Sequence, residues 1–204
     1  LVSPVIRRWV EEGRRDPDAL WERAARELPW FRTWDRVFEW TRPSFRWFIG
    51  GRTNLAWNAV DHHVVAGRGG QAALVYVNER GARITLTYAQ LQQQVKQAAA
   101  ALRGLGVARG DRVTIYMPTT IEAVVLMLAV ARIGAIHSVI FAGFGAKALA
   151  DRINASGSKV VFTADATYRK GKDVRLKEIV DAAVAAPDSP VERVVVLQIG
   201  RAHV

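Results

Sequence analysis

The chain has 204 residues, of which 50% are hydrophobic and 24% are charged, a composition typical of globular proteins rather than disordered or fibrous ones. It contains no cysteine, which excludes disulfides and thiolate metal sites and favours a reducing cytoplasm. The formal net charge is +10, but the basic residues are scattered and alternate with acidic ones near the N-terminus, so nucleic acid is not the expected partner.

Residues 1–70 are rich in tryptophan, arginine and phenylalanine. One helix is predicted near 18–28, and a second is predicted near 55–66 with Asn54 as its N-cap. The segment between these helices, residues 29–51, is predicted to be irregular chain held by aromatic anchors. We therefore expect an arm that wraps on a body rather than an independent domain.

From residue 71 onward, strand-like and helical patterns alternate along the chain. Residues 72–77 and 83–88 are predicted to form a β-hairpin. Thr87 and Gln90 have the spacing of a capping box and should begin a helix that ends at Gly104. Further strands are predicted at 111–117, 135–141, 159–164 and 191–198, and further helices at 119–134, 146–156 and 174–186. Because the connections are short, we predict an α/β fold with a doubly wound, mostly parallel sheet, flanking helices and a Trp/Arg-rich helical N-terminal arm.

The most apolar stretch of the chain, residues 115–146, raises the question of a membrane span. A spanning helix needs about 20 consecutive apolar residues, and Glu122 interrupts this run. Thr119 and Glu122 have capping-box spacing, and Gly134 should end the helix that they begin. The stretch is thus predicted to be a buried helix followed by a buried strand, in which His137 is a hydrogen-bonded core histidine. No membrane span is expected.

Two loops at the predicted carboxyl ends of strands are candidate ligand sites, because open α/β sheets bind ligands at that edge. The first lies within residues 167–177, where four residues would suit a phosphate: Arg169, Lys170, Gly171 and Lys172. On spacing alone, a solvated basic loop explains this stretch better. The second is residues 141–145, whose glycines either admit a ligand or form a tight turn. The adjacent His62 and His63 point apart on a helix, and no metal site or catalytic residue is predicted.

Several segments of the chain closely resemble the N-terminal part of acetyl-CoA and propionyl-CoA synthetases, which are AMP-forming acyl-CoA synthetases of the adenylate-forming superfamily. The resemblance runs from roughly residue 10 to residue 198 with similar spacing. It rests on FRWFIGGRTNLAWNAVDHHV, LTYAQL, GVARGDRVTIYMP, IEAVVLMLAVARIGAIHSVIFAGF and ATYRKGK. The resemblance implies that the whole enzyme activates acetate or propionate with ATP and Mg, releases pyrophosphate, and transfers the acyl group from AMP to the thiol of CoA.

The resemblance also implies a role for the basic loop. The Arg-Ala-Gly-Arg motif of the family, which contacts the phosphorylated adenosine end of CoA, aligns with residues 169–172. Arg169 and Gly171 match this motif, whereas Lys170 replaces alanine and Lys172 replaces arginine. Lysine keeps the positive charge but loses the bidentate geometry of arginine, so a weaker contact is expected.

A second family motif, Phe-Gly-Gly near the path of the pantetheine arm, aligns with Phe141, Ala142 and Gly143, and Ala142 departs from it. The family's ATP and Mg sites lie mostly beyond residue 204. The resemblance therefore implies that this chain carries part of a CoA site, contains no catalytic residue, and is inactive alone.

In domain terms, we expect residues 1–70 to be an N-terminal arm of the acetyl-CoA synthetase type and residues 71–198 to be the first part of the AMP-binding domain. Residues 199–204, IGRAHV, depart from the family pattern and match the translation of a common sequencing adapter, so we expect the native sequence to stop at about Gln198 and residues 199–204 to be an artefact. The alternative is a stand-alone, non-catalytic α/β module whose basic loop binds an anionic ligand or nucleic acid.

Overall fold

The computed structural model describes residues 3–78, 81–169 and 172–199. The chain divides into two compact units, the first ending at His62 and the second beginning at His63. The predicted turn at Glu79 and Arg80, and the predicted departure from the family pattern over residues 200–204, lie outside the described residues.

The first unit contains two helices, a β-hairpin and a π-helical turn. A proline opens each helix in its first turn, where the missing N–H costs nothing. The Asp16 carboxylate accepts a hydrogen bond from the Ala19 N–H at 3.0 Å and caps the second helix. The elements are α1 (Pro4–Arg15), α2 (Pro17–Arg26), β1 (Arg36–Thr41), β2 (Ser44–Ile49) and the π-helical turn Trp57–Asp61. The predicted helix near 18–28 is confirmed by α2, and Asn54 accepts from the Trp57 N–H at 3.1 Å, as expected of an N-cap.

The prediction that residues 29–51 are irregular is wrong, because β1 and β2 form an antiparallel hairpin there. The register places Phe38 opposite Trp47 and Trp40 opposite Phe45. Aromatic cross-strand pairs of this kind stabilise a two-stranded sheet. Trp21 of α2 adds an edge-on contact to Trp47, with ring centroids 6.0 Å apart. The aromatic residues are therefore paired strand residues and not isolated anchors.

The second unit alternates strands and helices, as predicted. Its π-helical turn is Val64–Arg68, and its other elements are β3 (Ala72–Val77), β4 (Arg83–Thr87), α3 (Tyr88–Gly104), β5 (Arg112–Tyr116), α4 (Ile121–Arg132), β6 (Ile136–Val139), α5 (Ala146–Ser156), β7 (Val160–Ala164), β8 (Thr167–Arg169), β9 (Lys172–Val174), α6 (Leu176–Val184) and β10 (Arg193–Leu197). Strands β3 and β4 form the predicted hairpin. Strands β5, β6, β7 and β10 form a four-stranded parallel sheet in the order β10-β7-β5-β6. This confirms the predicted fold class.

The strand order makes the sheet doubly wound. The chain passes from β5 outward to β6 and then returns across β5 to β7 and β10. Because parallel crossovers are right-handed, α4 lies on one face, and α5 and α6 lie on the other. The helices pack accordingly as two pairs, α3 with α4 and α5 with α6. The core on the α5/α6 face is built from Tyr116, Ile140, Leu149, Ile153, Val161, Ala164, Leu176, Val180 and Ala183.

The two predicted capping boxes have different outcomes. Thr87 and Gln90 form the reciprocal pair, since Thr87 Oγ1 accepts from the Gln90 N–H at 3.3 Å and Gln90 Oε1 accepts from the Thr87 N–H at 2.9 Å. The prediction of a capping box formed by Thr119 and Glu122 is wrong. Helix α4 begins one residue later, with Thr120 as N-cap accepting from the Ala123 N–H at 3.2 Å. The third helical residue is then Ala123, whose methyl group cannot accept the hydrogen bond that completes a box.

The position of the α4 N-cap at Thr120 can be tested with a matched pair of substitutions. Thr120→Ala should lower the free energy of unfolding by about 1 kcal/mol, since it removes the cap of α4. Thr119→Ala, at an exposed position outside the helix, should change it by less than about 0.5 kcal/mol. Urea denaturation of the two variants measures both values. A larger loss for Thr119→Ala than for Thr120→Ala would restore the boundary expected from the sequence.

The apolar stretch 115–146 consists of the end of β5, α4 and β6. Across the described ranges, no helix is long and apolar enough to cross a membrane. The prediction of a buried His137 is wrong, because β6 is an edge strand of the described sheet and His137 is exposed. Its strand neighbours Ile136 and Val139 are each 54% exposed. The sequence pattern identified the strand but not its place at the edge.

Candidate functional site

The two predicted ligand loops lie at the same edge of the parallel sheet. Because β5, β6, β7 and β10 run in one direction, all their carboxyl ends meet at that edge. The first loop, Phe141–Phe144, follows β6, and the β8–β9 hairpin follows β7. The connections of β5 and β7 leave toward opposite faces, which is the topology that opens a ligand crevice in α/β sheets. The fold thus brings together two loops that are separated in sequence.

The loop after β6 is a closed turn, which we call the Phe141–Phe144 turn. The N–H of Phe144 donates to the carbonyl oxygen of Phe141 at 3.1 Å, with Ala142 and Gly143 between them. The rings of Phe141 and Phe144 meet edge to face, with centroids 5.9 Å apart. Phe141 is 60% exposed, whereas Ala142 packs against the core on the α5/α6 face. Phe144 is 37% exposed, so the turn presents two aromatic side chains to solvent from a hydrogen-bonded backbone.

Two residues that the sequence analysis did not select hold this turn. The hydroxyl of Tyr116 donates to the carbonyl oxygen of Phe144 at 2.6 Å. The guanidinium carbon of Arg152, in α5, lies 4.4 Å from the centroid of the Phe144 ring, a cation–π contact. Tyr116 is fully buried, and burial raises the pKa of its phenol, so it remains a hydrogen-bond donor at neutral pH. A tyrosine at the end of a buried strand was the available signal, since a buried phenol needs a partner.

The basic stretch predicted as a loop contains the β8–β9 hairpin. Its register pairs Thr167 with Val174, Tyr168 with Asp173 and Arg169 with Lys172. Lys172 is exposed, and Tyr168 is 45% exposed. The other two predicted members of this group, Lys170 and Gly171, lie outside the described residues.

Asp165 anchors the base of this hairpin. Its side-chain Oδ1 accepts hydrogen bonds from the N–H groups of Ala166 and Ile199, each at 2.8 Å. Its own N–H donates to the carbonyl oxygen of Leu197 at 3.0 Å. Asp165 thereby joins the end of β7 to the chain that follows β10. The hairpin starts from a fixed point at the carboxyl edge of the sheet, although the sequence alone gave no reason to select this aspartate.

Of the residues that the structure describes, no group of three or more histidine, cysteine, aspartate or glutamate side chains is arranged to hold a metal ion. The described residues of this edge include the exposed cation Lys172, the exposed rings of Phe141 and Phe144, and a closed turn, and this combination suits the binding of an anionic, partly apolar molecule.

Two family models match the chain. The model described as AMP-binding enzyme matches residues 61–202, and the model described as acetyl-coenzyme A synthetase N-terminus matches residues 6–59. The first match covers the parallel sheet with both candidate loops, and the second covers the helices and the hairpin of the first unit.

Curated relatives are similar over nearly the same length. An acetyl-coenzyme A synthetase of Deinococcus radiodurans is 52% identical over 172 residues, which is 84% of this chain and 26% of that protein. A 3-hydroxypropionyl-coenzyme A synthetase of Sulfurisphaera tokodaii is 50% identical over 185 residues, 89% of this chain and 28% of that protein. An acetyl-coenzyme A synthetase of Chlorobaculum tepidum is 45% identical over 188 residues, 92% of this chain and 28% of that protein. The chain thus spans little more than a quarter of the length of these relatives.

Proposed function

Because the chain belongs to the AMP-binding enzyme family and carries an acetyl-coenzyme A synthetase N-terminus, we propose that it is the N-terminal part of an AMP-forming ligase that joins a short carboxylic acid to CoA. The observation that carries this proposal is the 45–52% identity to acyl-coenzyme A synthetases over most of the chain. The expectation from the sequence that the chain resembles this family is thereby confirmed.

The proposed reaction has two halves. In the first, a carboxylate oxygen of the acid attacks the α-phosphorus of ATP, and the bond to pyrophosphate breaks. In the second, the sulfur of CoA attacks the acyl carbonyl, AMP leaves with the bonding electrons, and the thiol proton is lost to solvent. Mg²⁺ would neutralise charge on the polyphosphate when bound. The described residues do not fit a site for it, so no step is assigned to a metal in this chain.

We assign this chain to the second half-reaction. The β8–β9 hairpin places the cationic residues Arg169 and Lys172 opposite one another. Lys172 is exposed, and an exposed ammonium group at this edge of the sheet can donate charge-assisted hydrogen bonds to a phosphate. This supports the role of residues 169–172 in binding the phosphorylated end of CoA. The Phe141–Phe144 turn would then lie along the path of the thiol-bearing arm.

The acid is proposed to be acetate or propionate. The relative named acetyl-coenzyme A synthetase is 52% identical to this chain, and the relative named 3-hydroxypropionyl-coenzyme A synthetase is 50% identical. The family resemblance implies that the residues that select the acid lie outside these 204 residues, which therefore do not separate a two-carbon from a three-carbon substrate.

The proposal is tested with the full-length protein and with the 204-residue chain side by side. The full-length protein should catalyse acetate- or propionate-dependent exchange of pyrophosphate into ATP, and should form acyl-CoA and AMP when CoA is added. The chain alone should form neither. Full-length protein that lacks both activities with these acids would contradict the proposal, and AMP formation by the chain alone would contradict the expected inactivity of the fragment.

The alternative of a nucleic-acid-binding module makes a different prediction. A protein that binds nucleic acid through basic residues loses affinity steeply as salt rises, because counterions are released on binding. We expect no such binding at physiological salt, because basic residues of the first unit are interleaved with acidic ones and several pair with carboxylates, as in Arg23–Glu12 and Arg26–Glu22. Fluorescence anisotropy with a labelled duplex at two salt concentrations measures this directly.

A further inference from the structure

The hydroxyl of Tyr116 links two strand ends at the carboxyl edge of the sheet. Tyr116 is the last residue of β5, and its acceptor, the carbonyl oxygen of Phe144, lies beyond the end of β6. The oxygen–oxygen distance of 2.6 Å is at the short end of the range for O–H···O hydrogen bonds. The bond therefore ties the Phe141–Phe144 turn to the central part of the sheet.

Packing alone does not require this hydroxyl. The Tyr116 ring is 0% exposed and belongs to the core on the α5/α6 face, a role that phenylalanine would fill without a polar atom to satisfy. The net contribution of one hydrogen bond to folding is small, because the unfolded chain makes equivalent bonds to water. What the hydroxyl adds is a fixed position for Phe144.

The turn is held at three separate atoms or groups of Phe144. Its carbonyl oxygen accepts from Tyr116, its N–H donates to Phe141, and its ring lies under Arg152. The next residue, Gly145, is the N-cap of α5, and its carbonyl oxygen accepts from the Leu149 N–H at 3.1 Å. The backbone between Phe141 and Gly145 is therefore fixed at both ends, and the exposed ring of Phe141 stands on a rigid support.

We propose that Tyr116 is a positioning residue for the CoA half-reaction, acting through Phe144 to hold the turn along which the thiol-bearing arm of CoA binds, with Arg152 as a second and weaker support. This inference rests on the proposed function. A preorganised turn binds its ligand without first losing conformational freedom, so loosening it lowers affinity for that ligand alone. The carboxylate and ATP do not take part in this contact, and their half-reaction should be insensitive to it.

The test is Tyr116→Phe in the full-length protein. The KM for CoA, and the Kd for CoA from calorimetry, should rise about fivefold, the equivalent of one net hydrogen bond. Carboxylate-dependent pyrophosphate exchange, which needs no CoA, should change by less than about twofold. Arg152→Gln should raise the KM for CoA about two- to threefold, as expected for an exposed cation–π contact.

The matched control is Thr114→Val, which removes a hydroxyl from the same strand. Thr114 is also 0% exposed, and its hydroxyl meets no hydrogen-bond partner within the described ranges. This variant should leave the KM for CoA unchanged. An equal change in CoA binding for Thr114→Val and Tyr116→Phe would show a general effect of the strand and overturn the inference.

The outcomes separate this inference from the proposed function. Wild-type protein that forms no acyl-CoA overturns both. Wild-type activity with an unchanged KM for CoA in Tyr116→Phe, or with a parallel loss of pyrophosphate exchange, overturns the inference alone. If Tyr116→Phe does not fold, Arg152→Gln provides the test, because this exposed side chain lies outside the core. An unchanged KM for CoA in Arg152→Gln would then overturn the inference.

Discussion

Replacement of Val161 by aspartate is expected to leave the second unit unfolded. Val161 is 0% exposed and lies in β7, where it pairs with Val194 of β10 on one side and with Thr114 of β5 on the other. An isolated carboxylate in such a place is either ionised at a cost of many kcal/mol or protonated without a partner. A domain has only about 5–15 kcal/mol of stability to lose, so this single change should exceed it.

Circular dichroism during a thermal scan measures the expected loss. Val161→Asp should show no cooperative transition for the second unit. Val65→Asp is the matched control, because Val65 is 76% exposed and the same change in charge meets solvent there. This control should unfold cooperatively, and its free energy of unfolding should stay within about 0.5 kcal/mol of the wild-type value, as is usual for surface substitutions. A wild-type transition in Val161→Asp would contradict the description of β7 as a strand buried on both faces.

Neutralising the two cations of the β8–β9 register pair should have the largest effect on ligand binding. In the full-length protein, Arg169→Gln combined with Lys172→Gln should weaken CoA binding by about 10- to 100-fold, because each charge-assisted hydrogen bond contributes about 1.5–3 kcal/mol and solvent screens the exposed Lys172. The effect should vanish with dephospho-CoA, which lacks the phosphate on the ribose.

The control for this double variant carries the same change in net charge at exposed positions elsewhere. Lys96→Gln combined with Lys147→Gln meets this condition, since Lys96 lies on α3 and Lys147 pairs with Asp151 on α5. It should leave CoA binding within about twofold of wild type at physiological salt, where distant charges are screened. Equal weakening of CoA and dephospho-CoA by the Arg169/Lys172 variant would show that the hairpin does not bind that phosphate.

The parallel sheet was predictable because its signals are local. The bounds predicted for one helix, 146–156, are those of α5, which ends where Gly157 adopts a left-handed φ of 62°. The Thr87–Gln90 box marks the start of α3 in the same way. Each strand of the sheet is a short β-branched run between such markers, and alternation with helices then determines that the strands are parallel.

What could not be predicted depends on contacts between distant residues. The exposure of His137 follows from the place of β6 at the sheet edge, which the order of elements along the chain does not contain. The start of α4 at Thr120 rather than Thr119 was ambiguous, because two adjacent threonines are both suitable caps. The hydrogen bond from Tyr116 to Phe144 joins residues on different strands, and no spacing rule relates them.

The strand order also constrains how the sheet is assembled. Strand β5 ends at Tyr116, but its second neighbour begins only at Val160, and β7 gains its outer neighbour only at Arg193. Such long closures slow folding relative to the local hairpins β1–β2 and β3–β4. While the chain is being synthesised, β5 therefore has one unpaired edge until β7 emerges. In that interval the edge is open to pairing with a second nascent chain, and a chaperone that covers it would raise the yield of folded protein.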